Sequence, residues 1–173
     1  MSYTTIFKVP KEGEVETYAE FNNARRGAFN VWAVMAKEYL NIEPLPVFDD
    51  DKNWNCIWGL SDSDEVLYSD RIVMEATFDK VMVKRENLLT LAKAMDDFCT
   101  RYEPGSLPEQ VQTLRELFKD EDCFAVCWQQ TSVTCAWEEE SDEELDEYGD
   151  EISRNYDVSK DTKHYFLFDR LKL

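Results

Sequence analysis

Residues 138–151 constrain this chain more than any other stretch: fourteen consecutive positions hold ten carboxylates and no base. Like charges at that density repel one another and resist packing. The segment therefore reads as a solvated, mobile loop between two strands, and the core must come from elsewhere. A second acidic segment, residues 49–70, carries seven acids against one base. Together the two supply sixteen of the eighteen net negative charges, so the rest of the 173 residues is close to neutral. That remainder is not a disordered acidic chain. Hydrophobic residues make up 43% and aromatic residues 13% of the whole, enough apolar surface to offset the ordering entropy of a fold. The length suits one domain, 1–173, with the 138–151 loop inside it.

Residues 1–8 show no basic region followed by an apolar one and do not read as a signal peptide. The longest charge-free runs, Gly27–Ala36 and Cys123–Trp137, are too short or too polar for a membrane span of about 20 apolar residues. The five cysteines are Cys56, Cys99, Cys123, Cys127 and Cys135. An odd count without a signal segment fits reduced thiols and a cytoplasmic location.

Residues 3–9 are rich in β-branched and aromatic types and read as a strand ending at Pro10. From Glu14 to Leu40 the apolar positions fit a helical period, with Asn22, Asn23 and Gly27 as points where it could break. Residues 54–60 read as a short strand and 61–70 as an acidic loop. Residues 71–77 and 80–84 read as two strands, or one long bent strand. The period then switches to helical over 86–102. Pro104 and Gly105 close that helix, and Ser106 with Glu109 has the spacing of a capping box opening another. Residues 123–129 and 133–137 read as a hairpin and 165–171 as a final strand. There is no regular βα alternation. The pattern predicts an α+β domain with a mainly antiparallel sheet of five to seven strands and three to four helices on one face.

Tests for chemistry remove more than they add. Asp49, Asp50, Asp51 and Asn53 imitate the start of a calcium loop, but Trp54 and Leu60 stand where glycine and a bidentate glutamate are required. Cys123 and Cys127 on one strand would lie about 13 Å apart at roughly 3.3 Å per residue, too far to share one zinc ion. A turn near Thr131 would place Cys127 opposite Cys135, an oxidisable arrangement, although small buried side chains are the commoner use. His164 is the single histidine, and neither a nucleophile elbow nor a His-Glu-x-x-His motif is present. Five glycines provide no phosphate-cradling loop. Trp54 and Trp58 alternate onto one face of a strand, suited to the core or to an exposed platform. Arg25-Arg26 and Lys84-Arg85 are isolated basic pairs that offset local acids.

The resulting expectation is a non-enzymatic acidic protein without cofactor or metal. Its partner would be a protein with a basic surface, such as a restriction or CRISPR effector, which it would inhibit as a phage or mobile-element DNA mimic. A carboxylate array displaces counterions from a Lys/Arg groove much as phosphates do. The residues expected to carry this are Asp49, Asp50, Asp51, Asp62, Asp64 and Glu65 in the first segment. In the second they are Glu138, Glu139, Glu140, Asp142, Glu143, Glu144, Asp146 and Glu147. Direct contact with nucleic acid or an anionic membrane is disfavoured by the charge, and homo-oligomers are compatible with it. Two other readings stand beside this one. One is a structural or assembly protein whose acidic loops serve solubility. The other is a carboxylate- or divalent-metal-dependent enzyme with its site in the 49–70 loop.

Overall fold

A computed structural model describes residues 3–22, 27–46, 50–78, 80–102, 106–129 and 164–171. Strand β1 (Tyr3–Pro10) appears where expected. Gly13, at φ +102, makes the turn that follows, a conformation that strains any residue with a Cβ. Strand β2 (Glu16–Asn22) runs back antiparallel to β1. The helix expected over 14–40 is thus divided: β2 takes its first part, and helix α1 (Gly27–Leu40) its second. Val15, Tyr18 and Phe21 recur every third residue and imitate a helix, but Thr17, Tyr18 and Phe21 suit a pleat, and β1 offers them a partner. Helix α1 buries Ala28, Val31, Trp32, Met35 and Ala36 on one stripe. Asn41, at φ 55, closes it by donating its N–H to the Lys37 carbonyl at 3.2 Å.

Two expected strands are helices. Residues 54–60 belong to helix α2 (Asp51–Trp58) and a 3₁₀ turn (Gly59–Asp62). Residues 71–77 belong mainly to helix α3 (Tyr68–Glu75). In α2 the deciding feature is the cap: Asp50 accepts from the Asn53 N–H at 3.3 Å and from its side-chain amide at 2.7 Å. In α3, Ile72, Val73 and Met74 are all buried. A short segment buried on every side shows no period, so its β-branched residues read as a strand.

Strand β3 (Val81–Lys84), helix α4 (Leu88–Arg101) and helix α5 (Leu107–Lys119) follow the sequence reading closely. The expected capping box does not form. The Ser106 hydroxyl accepts from the Gln110 side chain at 3.2 Å and bonds no first-turn amide. Strand β4 (Cys123–Gln129) is flanked by β1 and β3, and the residues expected as its hairpin partner, 133–137, lie outside the described residues. The last expected strand is extended only over β5 (Tyr165–Phe166) and then turns into helix α6 (Leu167–Arg170). A helical turn lets Leu167, Phe168 and Leu171 all reach the core.

The five strands among the described residues form one sheet in the order β2-β1-β4-β3-β5. It is mixed rather than purely antiparallel, because β5 runs parallel to β3. Residues 130–163 separate β4 from β5, and a connection of that length dictates no antiparallel return. Among the described residues six helices replace the three to four expected, since α2, α3 and α6 arise from segments read as strands. Residues from all six join one core with Ile6, Val81, Val83, Val126 and Trp128 from the sheet. The opposite sheet face carries a smaller cluster of Val9, Met82, Ala125 and Cys127.

Candidate functional site

The first acidic segment is built on a folded frame. Asp50 is the cap of α2, and Asp51 stands exposed in its first turn. The 3₁₀ turn buries Leu60 and Ser61 and brings Asp62 to the surface, where it meets Arg170 at 2.9 Å. Arg71 locks the next loop: its Nε donates to the Ser61 carbonyl at 2.8 Å and its guanidinium meets Asp64 at 3.0 Å. The Asp64 side chain is nonetheless 99% exposed. Glu65 is exposed, and its N–H donates to the Ser63 hydroxyl at 3.3 Å. Of the six candidates in this segment, Asp50 serves the fold, Asp62 and Asp64 are paired but open to solvent, and Asp51 and Glu65 face solvent. Asp49 lies outside the described residues, as do Glu138, Glu139, Glu140, Asp142, Glu143, Glu144, Asp146 and Glu147.

Two further carboxylates are fully buried and paired with arginines, and neither is among the residues expected to form the site. The sequence pattern puts Asp70 in the acidic loop and Glu75 in a strand; α3 buries both completely. Arg101 clasps Asp70 with both terminal amines, and the Tyr39 hydroxyl donates to it at 2.8 Å. Burial and this bond to a carboxylate push the Tyr39 phenol up to about 12, while the Asp70 bond raises the Arg101 guanidinium further still. Glu75 accepts from the Tyr165 hydroxyl at 2.6 Å and from Arg170 at 2.7 Å. Its second oxygen, Oε2, is buried and has no hydrogen-bond partner among the described residues. Burial, reinforced by Glu75, also raises the Tyr165 phenol. Arg170 thus joins surface Asp62 to buried Glu75, tying the acidic frame to the end of the described chain. These groups position elements. An acid such as Glu75 beside the apolar run Ile72–Met74 was the available signal, because a buried acid demands a cationic partner.

The tryptophans do not alternate on a strand. Trp54 and Trp58 lie one helical turn apart in α2, with ring centroids 5.4 Å apart. Trp32 packs edge-on against both, at 5.8 Å and 6.3 Å, and its indole N–H donates to the Thr77 hydroxyl at 2.7 Å. Trp54 is core, at 1% exposure, whereas Trp58 is 39% exposed next to the acidic turn.

Among the described residues no group of three His, Cys, Asp or Glu side chains is placed to hold a metal ion. No described helix is long and apolar enough to cross a membrane. Comparison with protein-family models, with characterised proteins and with solved structures yields no match.

Proposed function

We propose that the protein acts by binding rather than by chemistry. In this reading it is an acidic inhibitor that occupies the basic surface of a nucleic-acid enzyme, such as a restriction or CRISPR effector, as a counter-defence DNA mimic. The observation that carries the reading is order in the first acidic segment. A charge array held in place competes with phosphates better than a floating one, because it loses less entropy on docking. Asp51, Asp62, Asp64 and Glu65 are held by α2, the 3₁₀ turn and the Arg71 and Arg170 clamps, while remaining exposed. Trp58 beside them offers an apolar contact of the kind that anchors interfaces.

The test is an affinity series against a panel of nucleic-acid enzymes at rising salt, with duplex DNA as competitor. Binding should weaken with salt and be lost to DNA, because the contacts replace counterions on a Lys/Arg groove. The variant D51N/E65Q, which removes two exposed acids outside the clamps, should bind more weakly with an unchanged fold. Binding that ignores both salt and DNA overturns the reading.

A further inference from the structure

We propose a second, separate binding site: a basic groove that takes a small phosphomonoester carrying an aromatic or flat apolar body. The groove shares no lining residue with the acidic array of the inhibitor reading and stands independently of it. The sheet order creates the groove. Because β4 lies between β1 and β3, the turn after β1, the end of β3 and the end of α5 converge on the start of β4. They border an open groove of about 450 Å³ with Lys11, Lys84, Arg85, Phe118 and Phe124 on its walls. That volume lies in the range of small-molecule sites, roughly 300–1,000 Å³.

The cations there are unusually available for a chain in which acids outnumber bases 37 to 19. Arg85 is aimed rather than loose. Its Nε donates to the Phe118 carbonyl at 2.9 Å, and its guanidinium carbon lies 5.6 Å from the Phe118 ring centre. Among the described residues no carboxylate forms an ion pair with its terminal amines, so the guanidinium fork keeps donors for a ligand. Lys84 meets Asp169 only at 3.4 Å, across a contact open to water, and lies 4.6 Å from the Phe166 ring centre. Lys11 has its backbone N–H pinned to the Asp122 carbonyl at 2.9 Å, and its exposed side chain forms no ion pair among the described residues.

Nearby acids offset these charges only in part, through Asp169 on Lys84 and through Glu86. Asp120 and Asp122 turn to the buried Lys8, at 3.0 Å and 3.2 Å. Glu86 is the one carboxylate in the lining, and it is exposed. Cys123 completes the wall as a neutral thiol, since burial pushes it up to about 11.

The ligand class follows from these groups. Two lysines and an arginine fork suit a dianionic tetrahedral group better than a single carboxylate. Phe118 and Phe124 offer apolar surface that only a ligand with an apolar body can cover. A polyanion such as nucleic acid is disfavoured by the net charge of −18. A small dianion is governed by the cations beside it, because at physiological ionic strength charges beyond about 8 Å are largely screened.

Isothermal titration with phenyl phosphate and with inorganic phosphate, at physiological ionic strength, tests the site. Phenyl phosphate should bind saturably and more tightly than inorganic phosphate. R85Q should weaken it about tenfold or more, the usual scale for losing charge-assisted hydrogen bonds. K84Q, which leaves the Phe118 contacts intact, should weaken it by a smaller factor and serves should R85Q fail to fold by circular dichroism. Absence of saturable heat overturns the proposal. So does phenyl phosphate binding no tighter than phosphate, or binding unchanged in the folded variants.

Discussion

Arg101 grips Asp70 through both terminal amines, across thirty-one residues of sequence, on a carboxylate with no exposed surface. The Arg101 side chain is itself about one-third exposed, so the two partners are not equivalent. Removing the arginine strands a buried charge, and stranding a buried charge costs about 3–5 kcal/mol. R101Q should therefore lower the urea midpoint sharply. D70N should cost less, because the remaining guanidinium can turn to water. Equal and small effects in both variants would contradict this account.

The aromatic cluster divides in the same asymmetric way. Trp54 is buried between Phe29, Trp32 and Trp58, while Trp58 forms the outer edge. W54A should cost about 3–5 kcal/mol through the cavity it leaves. W58A should cost less than about 2 kcal/mol, since much of its ring already faces water. Thermal melts of the two variants measure the difference.

Stability should fall between about pH 10 and pH 12 through Tyr39, whose phenol is raised from 10.0 to about 12. The folded state holds this proton more tightly than the unfolded chain. The stabilisation is therefore complete below the ordinary tyrosine range and is lost as pH rises through the folded value. Tyr165 is raised as well and acts in the same direction. Absorbance of the phenolate should show a set of tyrosines that ionise only as the protein unfolds. Y39F should flatten part of the alkaline decline in urea midpoint.

Thiol reactivity should follow burial. Cys56 is exposed, Cys99 intermediate, and Cys123 and Cys127 buried. Burial raises the Cys99 and Cys123 thiols, so neither presents much thiolate at neutral pH. Brief alkylation of the native protein, read by peptide mass mapping, should label Cys56 well ahead of Cys123 and Cys127. Early labelling of Cys123 would contradict its placement at the start of β4.

Legibility in the sequence tracked how local each signal was. Strands β1, β3 and β4 are short β-rich runs bounded by turns, and α4 and α5 carry long apolar stripes, so all five were readable. The acidic frame was readable as charge but not as structure. Asp50 looks like one more acid in a run until its bond to the Asn53 amide identifies it as a helix cap. The aromatic residues of α2 and the β-branched residues of α3 misled for one reason: strand preference is a weak bias that packing overrides. The groove around Arg85 was hidden because its walls come from four separate elements.

What the sequence determined alone was the location of the charge, the existence of a core, the α+β class and the elements whose periods are long enough to be unambiguous. Tertiary structure decided that Trp54 and Ile72 sit on helices, that β5 enters the sheet parallel to β3, and that Asp70 and Glu75 are clasped by Arg101 and Arg170. The physical reason is range. Propensity and periodicity act over a few residues, whereas strand direction and the partner of a buried charge are set by groups that meet only when the chain has folded.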